Sequence, residues 1–187
     1  MKNNSKKITT SALMIALATV LAWVSKIIPA PWLQGGSITL ASMVPIIIVS
    51  LIHGYRWGLI SSFAYSIIQM MTGFYPPPTQ TLFYFILVVL LDYILAFGVL
   101  GIASLFYSLL SKKMWAIPVC GAIVTFLRYI CHILSGILIW GVYASEGQSV
   151  FAYSVFYNGT YMIPEIIITT IVLVLLSGFI KKTIKNK

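Results

Sequence analysis

Only three of the 187 residues are acidic, and two of them, Asp92 and Glu165, stand inside long apolar runs. Arg128 and His132 do the same. An ionisable side chain in apolar surroundings is expensive, so each needs a partner or a purpose. Spacing suggests the purpose. Arg128, His132, Gly136 and Trp140 recur at steps of four and share one face of a helix. Tyr153, Tyr157, Tyr161 and Glu165 repeat the spacing downstream, with Asn158 beside them. Each residue alone has a plainer explanation. A single histidine is usually a satisfied core residue, a single tryptophan an interface residue, and an asparagine a link between helices. Together they favour a cavity lined by a carboxylate, an imidazole, an amide and aromatic rings. Such a lining suits a flat, cationic, hydrogen-bonding small molecule. The sequence offers no metal-ligand cluster, no nucleophile–base arrangement and no phosphate-binding glycine loop. The reading is therefore no enzyme, no catalytic residues, no metal and no cofactor, with any ATP energy coming from a partner chain.

The elements that must carry these residues follow from composition. Hydrophobic residues make up 60% of the chain and charged residues 8%, against about a quarter charged in a soluble domain. That excludes a soluble enzyme and a disordered chain. The expectation is an all-α membrane protein of six transmembrane helices, over about 8–28, 38–53, 56–73, 81–110, 115–143 and 151–181, in one substrate-binding domain covering 1–187. The second helix is short and contains Pro45; Gly98 and Gly101 are bending points in the fourth. Helical rise puts Asp92 and His132 each about 16 Å below the outer end of their spans, and Arg128 and Glu165 at about 21–22 Å. Two tiers result. The lower one reads as a structural Arg128–Glu165 ion pair, with Asp92–Arg128 as the alternative pairing.

Net charge is +9, and the basic residues lie at chain ends and short loops. That pattern suits a lipid bilayer and argues against nucleic acid. With the N-terminus in the cytoplasm, Lys2, Lys6, Lys7, Arg56, Lys112, Lys113, Lys181, Lys182, Lys185 and Lys187 all fall inside, and only Lys26 outside. Both termini are thus expected in the cytoplasm, with the cavity facing out beneath Trp32 and Tyr75. The first apolar run reads as a retained span rather than a signal peptide. Cys120 and Cys131 lie about 16 Å apart along one helix, too far for a disulfide. Ala12/Ala16 and Ala18/Ala22 in the first helix are small residues one turn apart, where another helix can approach.

These residues resemble the thiamine-specific S components (ThiT/YuaJ family) of energy-coupling factor (ECF) transporters. The resemblance is carried by Leu91-Asp92-Tyr93, by His132 followed eight residues later by Trp140, and by Tyr153 through Glu165. It implies a thiamine-binding subunit of an ECF-type importer in the cell membrane. It places Trp32, Tyr75, Asp92, Tyr93, His132, Gly136, Trp140, Tyr153 and Asn158 at the ligand, with the first outer loop closing as a lid. It implies docking through Ala12 and Ala16 on a membrane coupling protein that works with two ATPases. It also implies a glutamate where Asp92 stands; the shorter acid keeps the charge and withdraws it by one carbon. The rival readings are an S component for another vitamin or a thiamine precursor, a stand-alone proton-coupled transporter using Asp92 or His132, and a membrane-embedded enzyme.

Overall fold

The computed structural model describes residues 2–27 and 35–186. Six helices form, with no strand among the described residues: α1 (Lys2–Ser25), α2 (Met43–His53), α3 (Tyr55–Gly73), α4 (Leu82–Leu109), α5 (Ala116–Leu138) and α6 (Val150–Lys185). Of these, α1, α4, α5 and α6 are long and apolar enough to cross a bilayer. The chain is a multi-pass membrane protein.

The second span differs most from expectation. Helix begins only at Met43, and 35–42 forms an irregular strap. Pro45 explains the late start. In the first turn its missing N–H costs nothing, but a helix from 38 would put it in the interior and break a backbone bond. The eleven residues of α2 rise about 16 Å, half of a ~30 Å hydrocarbon core. Met43 through Leu51 are buried without a break, so the helix packs inside protein on every side. Irregular backbone at this depth is tolerated only where protein or a cavity surrounds it. A single residue, Gly54 at φ +87°, then turns the chain into α3.

The α3–α4 crossing is close because both helices offer glycine there. A Cβ on Gly58 would lie 2.2 Å from the Gly101 carbonyl oxygen. Ser50 of α2 completes the contact. Its hydroxyl donates to Gly101 O at 2.5 Å and accepts from Ser104 N at 3.1 Å. This inserted side chain coincides with a 3₁₀ stretch at Val99–Ile102. A π-helical turn at Val89–Leu95 adds a second irregularity. It advances the register by one residue, so that Val88, Asp92 and Phe97 share the inner face of α4.

Other expected boundaries also move. The first helix, expected over 8–28, runs from Lys2 to Ser25. The fifth helix stops at Leu138, not 143, and a 3₁₀ turn at Gly141–Tyr143 follows. Gly141 packs against Val150, where a Cβ would meet Val150 Cγ1 at 2.6 Å, so α5 returns tightly to α6. The last helix runs on to Lys185 with Pro164 inside it. The α5–α6 pair is the most extensive packing in the fold.

Candidate binding site

A cavity of about 610 Å³ lies between the strap, α3, α4, α5 and α6. Tyr75, Asp92, Tyr93, Arg128, His132, Gly136, Trp140, Tyr153, Asn158 and Glu165 all line it. Trp32 lies outside the described residues.

Asp92 is the centre of the upper tier. Its Oδ1 faces His132 Nδ1 at 3.0 Å, and its Oδ2 accepts from Ser135 Oγ at 2.6 Å and Trp140 Nε1 at 3.2 Å. Arg128 Nε donates to His132 Nε2 at 3.3 Å. That nitrogen therefore carries no proton, and the proton sits on Nδ1, where it is donated to Asp92. The imidazole is neutral and its tautomer is fixed from both sides. Trp140 reaches Asp92 because the helix has already ended. The side chain folds back from the turn rather than adding a fourth step to the Arg128–His132–Gly136 stripe.

Two groups of rings form the aromatic wall. Tyr75 lies 5.4 Å from Trp140 between ring centroids, and Tyr153 stacks on Tyr157 at 5.6 Å. Tyr161 meets Tyr157 edge-on at 6.4 Å and His132 at 5.9 Å. Among the described residues the Tyr153 hydroxyl finds no hydrogen-bond partner.

Three expected ligand contacts have structural work to do. Asn158 Nδ2 donates to His132 O at 3.1 Å and Ser154 O at 2.9 Å, while its Oδ1 accepts from the Tyr161 hydroxyl. It links α5 to α6. Tyr93 donates to Gly73 O at 3.0 Å and accepts from Tyr75 N at 3.2 Å, fixing the α3–α4 loop. Gly136 makes room: a Cβ there would lie 2.0 Å from Ser154 Oγ.

The lower tier corrects an expectation. Arg128 and Glu165 both reach the cavity, but no ion pair joins them, nor Arg128 to Asp92; among the described residues the only pair within ion-pair distance is His132–Asp92. The Arg128 guanidinium is held over the Phe97 ring at 3.9 Å, a cation–π contact, and by His132. Glu165 turns the other way. Its Oε1 accepts from the backbone N–H of Thr39 in the strap, and Oε2 has no hydrogen-bond partner among the described residues.

Several lining residues escaped the sequence reading. Tyr65, Gln69, Phe97 and strap residues 37–40 belong to the wall. Tyr65 and Gln69 had a signal, since they stand four apart on α3 among Ser61, Ser62 and Ser66. Residues 38–42 of the strap were expected as the start of the second helix.

The comparisons with known proteins cover almost the whole chain. A family described as "Thiamine transporter protein (Thia_YuaJ)" matches residues 8–185. The chain belongs to that family. The thiamine transporter family comprises transporters rather than enzymes. Thiamine transporter ThiT of Bacillus subtilis (strain 168) is 34% identical, over 92% of this chain and 93% of its own. ThiT of Lacticaseibacillus paracasei is 29% identical over 44% of this chain and 46% of its own. A solved structure of ThiT from Listeria monocytogenes has the same fold, with a TM-score of 0.74 at 20% identity, covering 97% of this chain and 98% of that one. On α1, Ala12 and Ala16 are exposed, whereas Ala18 and Ala22 are buried in the core. The two alanine pairs therefore face opposite ways.

Proposed function

We propose that this chain is the thiamine-binding S component of an ECF-type importer. It captures extracellular thiamine in the cavity and hands it to a coupling membrane protein driven by two ATPases. The observation that carries the reading is Asp92. A carboxylate held by three donors stands against an aromatic wall, in a chain matched to the thiamine transporter family over residues 8–185.

The chemistry is complementary. Thiamine has a permanently cationic thiazolium and an aminopyrimidine. Ring faces and a carboxylate attract the cation. A carboxylate or amide can also form paired hydrogen bonds with the aminopyrimidine. Asp92, His132, Trp140, Tyr153 and Tyr75 are assigned to ligand contact. Tyr93, Gly136 and Asn158 shape the walls that hold them. Trp32, outside the described residues, is assigned to the ligand by the family resemblance. Both termini are assigned to the cytoplasm, and the whole chain acts as one binding domain that needs no cofactor. The exposed Ala12–Ala16 face is assigned to the coupling protein, because small residues let a partner helix approach closely.

Calorimetric titration of the purified protein with thiamine, without ATP, tests the binding. Wild type binds, and Asp92→Asn and Trp140→Ala each weaken binding by about 100-fold or more, as expected for losing a buried charged contact or an aromatic anchor. Wild-type affinity in both variants rejects the site. Tighter binding of a different vitamin in a ligand panel rejects the substrate. Ala12→Trp is expected to bind thiamine normally and to lose uptake in cells; retained uptake rejects the docking face.

A further inference from the structure

The strap at 35–42 crosses the cavity with almost no backbone partners of its own. Side chains of other helices supply them. Glu165 of α6 accepts from Thr39 N. Ser25 of α1 accepts from Leu40 N at 2.7 Å. Tyr157 of α6 donates to Gly35 O at 2.7 Å. Gly36, at φ +103°, lies flat on Tyr161, where a Cβ would come within 2.7 Å of the ring. Ala41, at φ 60°, then turns the strap into α2, a conformation a residue with a Cβ keeps only when its surroundings enforce it.

Glu165 stands out among these anchors. It is 1% exposed, and it is not paired with Arg128 in the same cavity. A buried carboxylate without a cation is costly. The contact it makes is with the backbone N–H of Thr39 in the strap.

We propose that Glu165 is a positioning residue that seats the strap. Its carboxylate holds Thr39 so that residues 37–40 form a closed wall of the cavity, and the strength of that hold sets how quickly bound ligand leaves. It acts through the strap rather than by touching the ligand. The statement about ligand release rests on the thiamine reading; the statement about the strap does not.

Hydrogen–deuterium exchange on the full-length protein, read on peptides covering 35–42, tests the hold without ligand. Glu165→Leu is expected to speed exchange at Thr39 and Leu40 by about tenfold, the scale of a lost hydrogen bond to a buried group. Glu165→Gln keeps an acceptor oxygen and stays within about threefold of wild type. Thiamine release, followed by tryptophan fluorescence, accelerates in Glu165→Leu by a similar factor and is restored in Glu165→Gln. Should Glu165→Leu fail to fold, Thr39→Pro deletes the donor while leaving α6 intact, and faster exchange at Leu40 supports the same hold. Unchanged exchange in Glu165→Leu, or in Thr39→Pro where that variant is used, overturns the proposal. So does faster exchange with unchanged thiamine release, for the release step. Absence of thiamine binding in wild type overturns the proposed function and leaves the exchange result to decide the strap.

Discussion

Asp92 and Glu165 are both carboxylates on apolar helices, both reach one cavity, and their surroundings differ. Asp92 takes three side-chain donors from α5 and the turn after it. Glu165 takes one donor, from the backbone of an irregular strap. The first carboxylate is fixed before any ligand arrives, since His132 is itself held by Arg128. The second is attached to a wall that lacks regular structure. Recognition and closure are thus assigned to different depths of the same cavity. A fully satisfied polar network is rigid and specific, whereas a partly satisfied one marks where the protein gives.

The comparison can be broken most severely at Gly136, on which the rigid side stands. Gly136→Val drives a side chain into Ser154 and Asn158, and overpacking of this kind costs about 1–3 kcal/mol or more. Loss of folded protein on size exclusion and a lower melting temperature are expected; a wild-type melting curve refutes the close α5–α6 contact. A smaller effect is expected from Arg128→Ala, which frees the His132 tautomer and weakens thiamine binding by about tenfold, near the worth of one charge-assisted hydrogen bond. Ser135→Ala removes one of three donors and costs about threefold to tenfold. If Ser135→Ala proves worse than Asp92→Asn, the carboxylate is not the centre of the upper tier. The smallest change belongs to α3. Gln69 stands beside Tyr65 in the cavity wall, so Gln69→Leu is expected to change stability by no more than about 1 kcal/mol in thermal unfolding. A larger loss in Gln69→Leu would make Gln69 a structural anchor of that wall.

Much of the upper tier was legible in the sequence. Arg128, His132 and Gly136 share a helical face because spacing by four fixes direction, and depth arithmetic put Asp92 level with His132. Trp140 reached the site for a different reason. Spacing could not foresee that the helix ends at Leu138 and that the indole folds back. The π turn in α4 was equally hidden, since Val89–Leu95 holds no proline or glycine to mark a break in the helix. The lower tier was misread by pairing opposite charges at equal depth. Glu165 instead found a backbone N–H, and main-chain donors leave no trace in residue types. The strap stayed invisible for the same reason, although Pro45 marked where helix could begin.

The shortness of α2 bears on how the chain enters the bilayer. Eleven residues cannot span the hydrocarbon by themselves, and the serines and Gln69 of α3 make that helix a poor guest in lipid. Joined by Gly54 alone, the two are best suited to partition together as a hairpin, each hiding the other's defect. Biogenesis should then wait on the later helices, α4 above all, to shelter that pair.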